Sequence, residues 1–217
     1  MAKLSAVNKN RSRIKLGEKK LKSLGEMPSL VSFCKRGAPN IAVLEQALNS
    51  FVEDYIKNKA KNYKCIHDLL LRQNPDLSDI KSGDPLVDET KNITDESVRV
   101  VKQMKDTCLS IQGPPGTGKT YNSAKIIIEL MKEGNKIGVS SNSHEAIKNL
   151  LTEVERQARE EKFIFKGMKK SNSTNLFNGE FIVDVIKDKN IDLNQFSLFA
   201  GTAWFFSNVR MRQSLDY

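Results

Sequence analysis

The chain has 217 residues, enough for one large domain or two small ones and for a sizeable buried core. Charged residues make up 28% and hydrophobic residues 39%, and no apolar run approaches the roughly 18 residues of a membrane span, so the composition excludes a helical membrane protein. A net charge of +9 favours an anionic partner, with nucleic acid the obvious one.

The N-terminus, Met1 to Arg11, lacks the apolar stretch of a secretory signal. Residues 1–28 carry Lys3, Lys9, Arg11, Arg13, Lys15, Lys19, Lys20 and Lys22 among few large apolar groups. They read as a basic arm, or as a short helix over 13–24 ended by Gly25. Leu30, Val31 and Phe33 suggest a short strand or docked segment before Arg36-Gly37. Pro39-Asn40 then opens a helix whose apolar face is Ile41, Leu44, Leu48, Phe51, Val52 and Tyr55. A second helix carries Ile66, Leu69 and Leu70 and stops before Asn74-Pro75. Residues 74–94 are rich in Pro, Asp, Gly, Ser and Asn and read as a linker or long loop. Thr94 can cap a helix over 95–105 with Val98, Val101 and Met104 inward.

Cys108 to Ile111 is a short apolar run expected to be a buried strand. It leads into Gly113-Pro114-Pro115-Gly116-Thr117-Gly118-Lys119-Thr120, which fits G-x-x-x-x-G-K-[ST]. Ala124, Ile127, Ile128 and Met131 follow at helical spacing. Glycines 113, 116 and 118 permit backbone conformations closed to other residues and a close approach to a ligand. Successive N–H groups can then cradle phosphate oxygens at a helix N-terminus. Lys119 would reach the β/γ-phosphates and the Thr120 hydroxyl would ligate Mg²⁺, with Tyr121 completing the binding segment. Pro114 and Pro115 stiffen the loop. ATP and Mg²⁺ are therefore the expected cofactors.

Gly134-Asn135 should end that helix in a left-handed cap. Lys136 to Ser140 reads as the next strand and residues 143–161 as a helix, apolar at Ala146, Ile147, Leu150, Leu151 and Val154. This alternation predicts a parallel sheet with right-handed crossovers. Phe163 to Phe165 looks like a further strand, Gly167 to Asn175 a polar loop, and Phe181 to Val185 a short strand. Phe196 to Gly201 reads as a buried strand, and Asn208 to Leu215 as a short helix or turn.

Two strand ends carry polar clusters at the edge where open parallel sheets bind ligands. At Ser140 to His144, Asn142 can cap the following helix, with Glu145 reaching back in a capping box. The same small hydroxyls and free amides of Ser141, Asn142, Ser143 and His144 suit a phosphate backbone. At Ala200-Gly201-Thr202-Ala203-Trp204, Gly201 and Thr202 could meet phosphate and Trp204 could stack on a base.

Cys34, Cys65 and Cys108 are widely spaced with no C-x-x-C pair, which argues against a zinc or iron–sulfur site and suits a reducing, cytoplasmic compartment.

Together, residues 111–120, 140–147 and 198–204 resemble Walker A, motif Ia and motif Ic of superfamily 1 helicases, in the group with nonsense-mediated-decay and DNA-replication helicases. The pattern is most similar to proteins that join a RecB-like nuclease to such a helicase, with Tyr63 to Leu71 sharing the likeness. The resemblance implies an α/β, RecA-like P-loop NTPase sheet flanked by helices, incomplete, with a helical N-terminal extension. It implies a division into a basic arm (1–38), a helical segment and linker (39–93) and a partial ATPase domain (94–217). It further implies ATP-driven movement on single-stranded nucleic acid, DNA rather than RNA, with a second RecA-like domain supplied elsewhere, on a separate chain for instance. The family's Asp-Glu pair has no counterpart here. Asp216-Tyr217 looks like the first step into that strand, so a truncated chain with little turnover of its own is the expectation. Two alternatives compete: an AAA+ ATPase, which shares the loop, and a non-catalytic nucleic-acid-binding module with a relic loop.

Overall fold

The computed structural model describes residues 3–8, 11–15, 22, 40–81, 83–187, 192–212 and 214–217, the first two stretches by their backbone pairing. It divides into two units, residues 1–39 and 40–217.

In the first unit, β1 (Lys3–Asn8) and β2 (Arg11–Lys15) pair antiparallel, with a bulge between Leu4 and Ala6. Over 3–15 this replaces the expected arm or helix. Arg11-Ser-Arg-Ile-Lys15 alternates with period two, which a strand satisfies and a helix does not. The expectations for Leu30 to Phe33 and for most of 16–24 lie outside the described residues.

The second unit opens with α1 (Ala42–Asn58) and, after a single 3₁₀ turn, α2 (Lys64–Leu70). Buried Asp54 organises this corner by accepting from Asn58 Nδ2 at 2.9 Å, from Asn62 N at 3.1 Å and from Asn62 Nδ2 at 2.6 Å. The chain reverses there through Lys59 and Ala60, both at positive φ. The apolar face expected on α1 is largely uncovered: Leu44 and Phe51 are half-buried, while Ile41, Leu48, Val52 and Tyr55 are exposed.

Among the described residues of 72–91 there is no helix or regular strand, as expected for a long loop, although the loop ends before Ile93 and not at 94. Then α3 (Ile93–Lys102) begins at Asn92, whose side chain accepts from Thr94 N at 2.8 Å and Asp95 N at 3.3 Å. Asn92, not Thr94, is the cap. An Asx side chain two residues before the amide it serves fits the N-cap position, which frees the Thr94 hydroxyl to donate to Asn122 Oδ1 at 2.7 Å on the next helix.

That helix is α4 (Lys119–Lys132), ended by Gly134 at φ 88°. It is followed by β3 (Ile137–Ser140), α5 (His144–Glu160), β4 (Gly167–Lys170), β5 (Ile182–Val185), β6 (Leu198–Gly201) and α6 (Ala203–Phe206). The four strands form one all-parallel sheet in the order β3–β6–β4–β5. The described chain is thus α/β, with helices packed on a parallel sheet.

Strand β6 is central and buried along its whole length. Leu198 and Ala200 face a core formed with Ile126, Ile127, Ile128 and Met131 of α4 and Ile147, Leu151 and Val154 of α5. Phe199 faces the other way, to Met168, Phe205 and Met211. A strand enclosed on both faces explains the uninterrupted apolar run Leu-Phe-Ala-Gly. Truncating a residue such as Leu151, fully buried against both helix and sheet, would cost roughly 2–5 kcal/mol.

Two expected strands are absent among the described residues. Residues 108–111 pair with no described strand; Leu109 packs against the core while Ile111 is exposed. Residues 163–165 form a loop in which Ile164 is 82% exposed and Phe163 stacks on Phe165 at 6.0 Å. The strand instead lies at Gly167-Met-Lys-Lys170, within the segment expected to be a polar loop. Its Lys169 is fully buried, and buried polar partners satisfy it, so polarity misdirected the reading.

Candidate nucleotide and nucleic-acid site

The stretch Gly113–Gly118 joins the core-packed Leu109 segment to Lys119, the first residue of α4. Gly116 and Gly118 sit at φ 84° and 77°, left-handed conformations in which a side chain would be strained. A Cβ added at either would meet nothing within 4 Å, so the backbone there borders open space. Gly113 is the opposite case: a Cβ there would lie 2.6 Å from Thr117 Oγ1. That hydroxyl donates to Pro114 O at 2.9 Å and closes the loop on itself.

Helix α4 starts from Gly118 with no side-chain cap, leaving the amides of its first turn without a side-chain acceptor. The Lys119 ammonium bends back over the loop and donates to the carbonyls of Gly113 and, at 2.7 Å, Pro114. An anion held over the loop would meet an uncapped helix N-terminus and a cation satisfied only by backbone carbonyls. The residues present therefore fit a polyphosphate. The side chain of Thr120 is on an exposed residue of the first turn, next to exposed Tyr121. The Arg156 guanidinium lies 5.9 Å from the Tyr121 ring centroid and holds that ring toward α5. Gln157 of α5 donates to the Tyr121 carbonyl at 3.1 Å.

The second region lies at the carboxyl ends of β3 and β6. Ser140 is in register with Gly201 across the parallel pair, so the segments 141–144 and 202–204 leave the sheet side by side. Ser143, not Asn142, caps α5, accepting from Ala146 N at 3.3 Å. Ser141 Oγ accepts from Ser143 N at 3.2 Å and shapes the turn. Asn142 is left exposed. His144 is half-buried, and its Nδ1 is buried with no hydrogen-bond partner among the described residues. Burial, with Lys169 and Lys148 nearby, pushes its pKa below the ordinary histidine value, so the neutral ring is favoured near pH 7.

Gly201 is buried because Phe205 packs over it, leaving 2.7 Å between an added Cβ and the ring. Thr202 occupies the N-cap position of α6 without making a side-chain cap bond. Trp204 is 44% exposed, and its Nε1–H donates to Asn40 O at 2.9 Å. This bond orients the indole and ties α6 to the start of α1.

Sequence reasoning missed the cluster behind His144. Lys169 Nζ donates to Ser171 Oγ at 2.6 Å and to Asn175 O at 2.7 Å, and stands 3.9 Å from Asp184 Oδ1. Ser171 donates in turn to Asp184, whose other oxygen accepts from the amides of Phe177 and Asn178, each at 2.8 Å. Burial pushes the Asp184 carboxyl up, but those amides, Ser171 and Lys169 together hold it below its ordinary value. Burial pushes the Lys169 amine down. The only available signal was Lys-Lys-Ser between two apolar segments, which a polar loop explains equally well.

Residues 214–217 run beside β3. Asp216 N donates to Lys136 O at 2.9 Å, Gly138 N donates to Tyr217 O at 2.8 Å, and the Asp216 carboxylate accepts from Lys136 N at 2.8 Å. They occupy the edge of β3 that β6 leaves open. Among the described residues no group of three His, Cys, Asp or Glu side chains gathers as a metal-binding cluster, and no helix is long and apolar enough to cross a membrane.

No protein-family model matches the chain, and no curated protein matches it in sequence.

Proposed function

We propose that the chain is the ATP-binding part of a superfamily 1 DNA or RNA helicase, built on a RecA-like P-loop fold. In the parent enzyme ATP hydrolysis would drive movement along single-stranded nucleic acid. The observation that carries this reading is the loop Gly113–Thr120. Two left-handed glycines border open space, α4 starts uncapped, and Lys119 Nζ rests on the Gly113 and Pro114 carbonyls. With ATP–Mg²⁺ bound, Lys119 would exchange these carbonyls for β/γ-phosphate oxygens and Thr120 would contribute its hydroxyl to the metal. The loop amides would bind and orient the phosphates.

The paired exits of β3 and β6 support the nucleic-acid half of the reading. Ser141, Asn142, Ser143 and His144 come from one strand end and Thr202 and Trp204 from its neighbour, while Gly201, buried under Phe205, shapes that exit and does not itself offer a contact. This combination of small polar groups, a helix N-terminus and an exposed indole suits phosphate contact with one stacked base.

A motor requires the two sites to be coupled, and binding linkage is reciprocal. The test is the affinity of a labelled single-stranded oligonucleotide with and without saturating ATP–Mg²⁺. Coupling predicts a change of at least about fivefold, lost in Lys119→Ala. An oligonucleotide affinity indifferent to ATP–Mg²⁺ would favour the relic-loop reading.

A further inference from the structure

We infer that the N-terminal hairpin is a cationic ribbon that binds the phosphate backbone of nucleic acid. Its residues are separate in sequence from the strand ends of the second unit, and its binding does not depend on the nucleotide site.

Charge distribution is the first observation. Residues 1–39 hold ten Lys and Arg against two Glu, so eight of the nine net positive charges fall in the first unit. The second unit, 178 residues long, is close to neutral. An anionic polymer is therefore drawn chiefly to the smaller unit.

Strand register is the second. Across the hairpin Lys3 pairs with Lys15, Ala6 with Arg13 and Asn8 with Arg11 on one face, while Leu4 pairs with Ile14 and Val7 with Ser12 on the other. The bulge between Leu4 and Ala6 makes this sorting possible. In a regular strand Lys3 and Val7 would share a face and Leu4 would lie opposite Val7, because alternation is strict. One inserted residue resets the alternation so that Leu4 and Val7 share one face and Lys3 joins the arginines on the other. Among the described residues that face holds four cations and no acid. Arg11, Arg13 and Lys15 follow one another along β2 at alternate residues, about 6.6 Å apart. Two are arginines, whose planar fork grips phosphate oxygens in pairs.

A bilayer is the other large anionic surface. Membrane-surface elements use aromatic residues to settle into the interface, and residues 1–32 contain none. Nucleic acid is the better match.

The test uses the whole chain. Binding of labelled dT20 and U20 is titrated at several salt concentrations for the wild type, Arg11→Gln/Arg13→Gln/Lys15→Gln, and Arg11→Lys/Arg13→Lys. Loss of three phosphate contacts predicts at least tenfold weaker binding near 0.1 M salt. It also predicts a log affinity against log salt slope shallower by about 2, at about 0.7 per contact, while the lysine variant keeps the slope. Photocrosslinking of the wild type to iodouracil-substituted oligonucleotide should label peptides within 1–39, which guards against a misfolded variant. An unchanged slope in the glutamine variant would overturn the inference. So would crosslinks confined to 140–204, or binding to phosphatidylserine vesicles without binding to either oligonucleotide. ATP–Mg²⁺ affinity, read separately, is unchanged in the glutamine variant, so failure here is distinguishable from failure of the helicase reading.

Discussion

Ser140 and Gly201 stand opposite each other at the last position of the β3–β6 parallel pair. The chain leaves the sheet in the same direction from both, so two short polar segments far apart in sequence become neighbours. Position 201 has no room for a side chain. Phe205 packs over it, and an added Cβ would lie 2.7 Å from the Phe205 ring and 2.9 Å from the Phe205 Cβ.

Gly201→Ala should therefore push α6 outward, disturb the Trp204–Asn40 bond and cost roughly 1–3 kcal/mol by overpacking. Denaturant melts would show the loss, and single-strand affinity should fall with it. A variant as stable as the wild type would mean that α6 shifts freely and is not a fixed platform.

Gly118→Ala should cost about 1–2 kcal/mol, because φ 77° is unfavourable for a residue with a Cβ. Since nothing lies within 4 Å of that Cβ, the penalty is one of backbone conformation. The loop can escape it only by leaving its left-handed conformation, so if it binds phosphate as proposed, nucleotide affinity should drop together with stability in a melt followed with and without ATP–Mg²⁺.

Lys169→Ala is expected to destabilise by about 3–5 kcal/mol, the range for breaking a buried charge pair. It removes the donor to Ser171 and Asn175 and the cation that faces Asp184, which keeps its bonds from Ser171, Phe177 and Asn178. Lys169→Ala/Asp184→Ala should recover part of the loss, which a double-mutant cycle measures. Additive single effects would refute the coupling.

Glu96 provides a pH signature. Its carboxylate accepts from Arg99 Nε at 3.0 Å, Arg99 Nη2 at 2.7 Å and Asp88 N at 2.8 Å. The Arg99 guanidinium first, and then the Asp88 amide, hold its pKa down to about 2 from an ordinary 4.5. A carboxyl depressed in the folded state stabilises above its unfolded value, and that contribution is lost as pH falls from about 4.5 to about 2. Unfolding free energy followed across that window should fall more steeply for the wild type than for Glu96→Gln. Equal slopes would show that the Arg99 pairing does not persist in solution.

The helices were legible because their signals are local. The apolar spacing at Ala124, Ile127, Ile128 and Met131, and at Ile147, Leu151 and Val154, marks a buried face whatever the partner, and α4 and α5 bury those residues. Leu198 to Gly201 was legible as a strand for a similar reason, since enclosure on both faces demands a continuous apolar run. Strands that depend on neighbours were harder. Cys108 to Ile111 has the composition of a strand but no described strand to pair with, and a strand exists only through its pairing. Gly167 to Lys170 has the composition of a loop, yet it pairs with strands at 182–185 and 198–200, and Lys169 finds Ser171, Asn175 and the distant Asp184 inside the fold, an enclosure that local composition does not reveal. Caps were misplaced by one or two residues, at Asn92 for Thr94 and Ser143 for Asn142. Both alternatives are capping residue types, and only the local backbone decides between them. The turn from Gly113 into α4 was legible in its backbone, because glycine spacing and the left-handed conformations of Gly116 and Gly118 are directly linked. His144 in its polar cluster was less so, because its half-buried position and the nearby Lys169 charge cannot be read from residues 140–147 alone.

Nucleotide binding by the loop from Gly113 to Thr120 is the central claim, and calorimetric titration of the whole chain with ATP in the presence and absence of Mg²⁺ tests it most directly. Binding should be saturable and Mg²⁺-dependent, and at least tenfold weaker in Lys119→Ala. The melting temperature of that variant without nucleotide should stay close to the wild type, since Lys119 donates only to loop carbonyls. Absence of binding to the wild type, or binding of equal strength in Lys119→Ala, would contradict the claim.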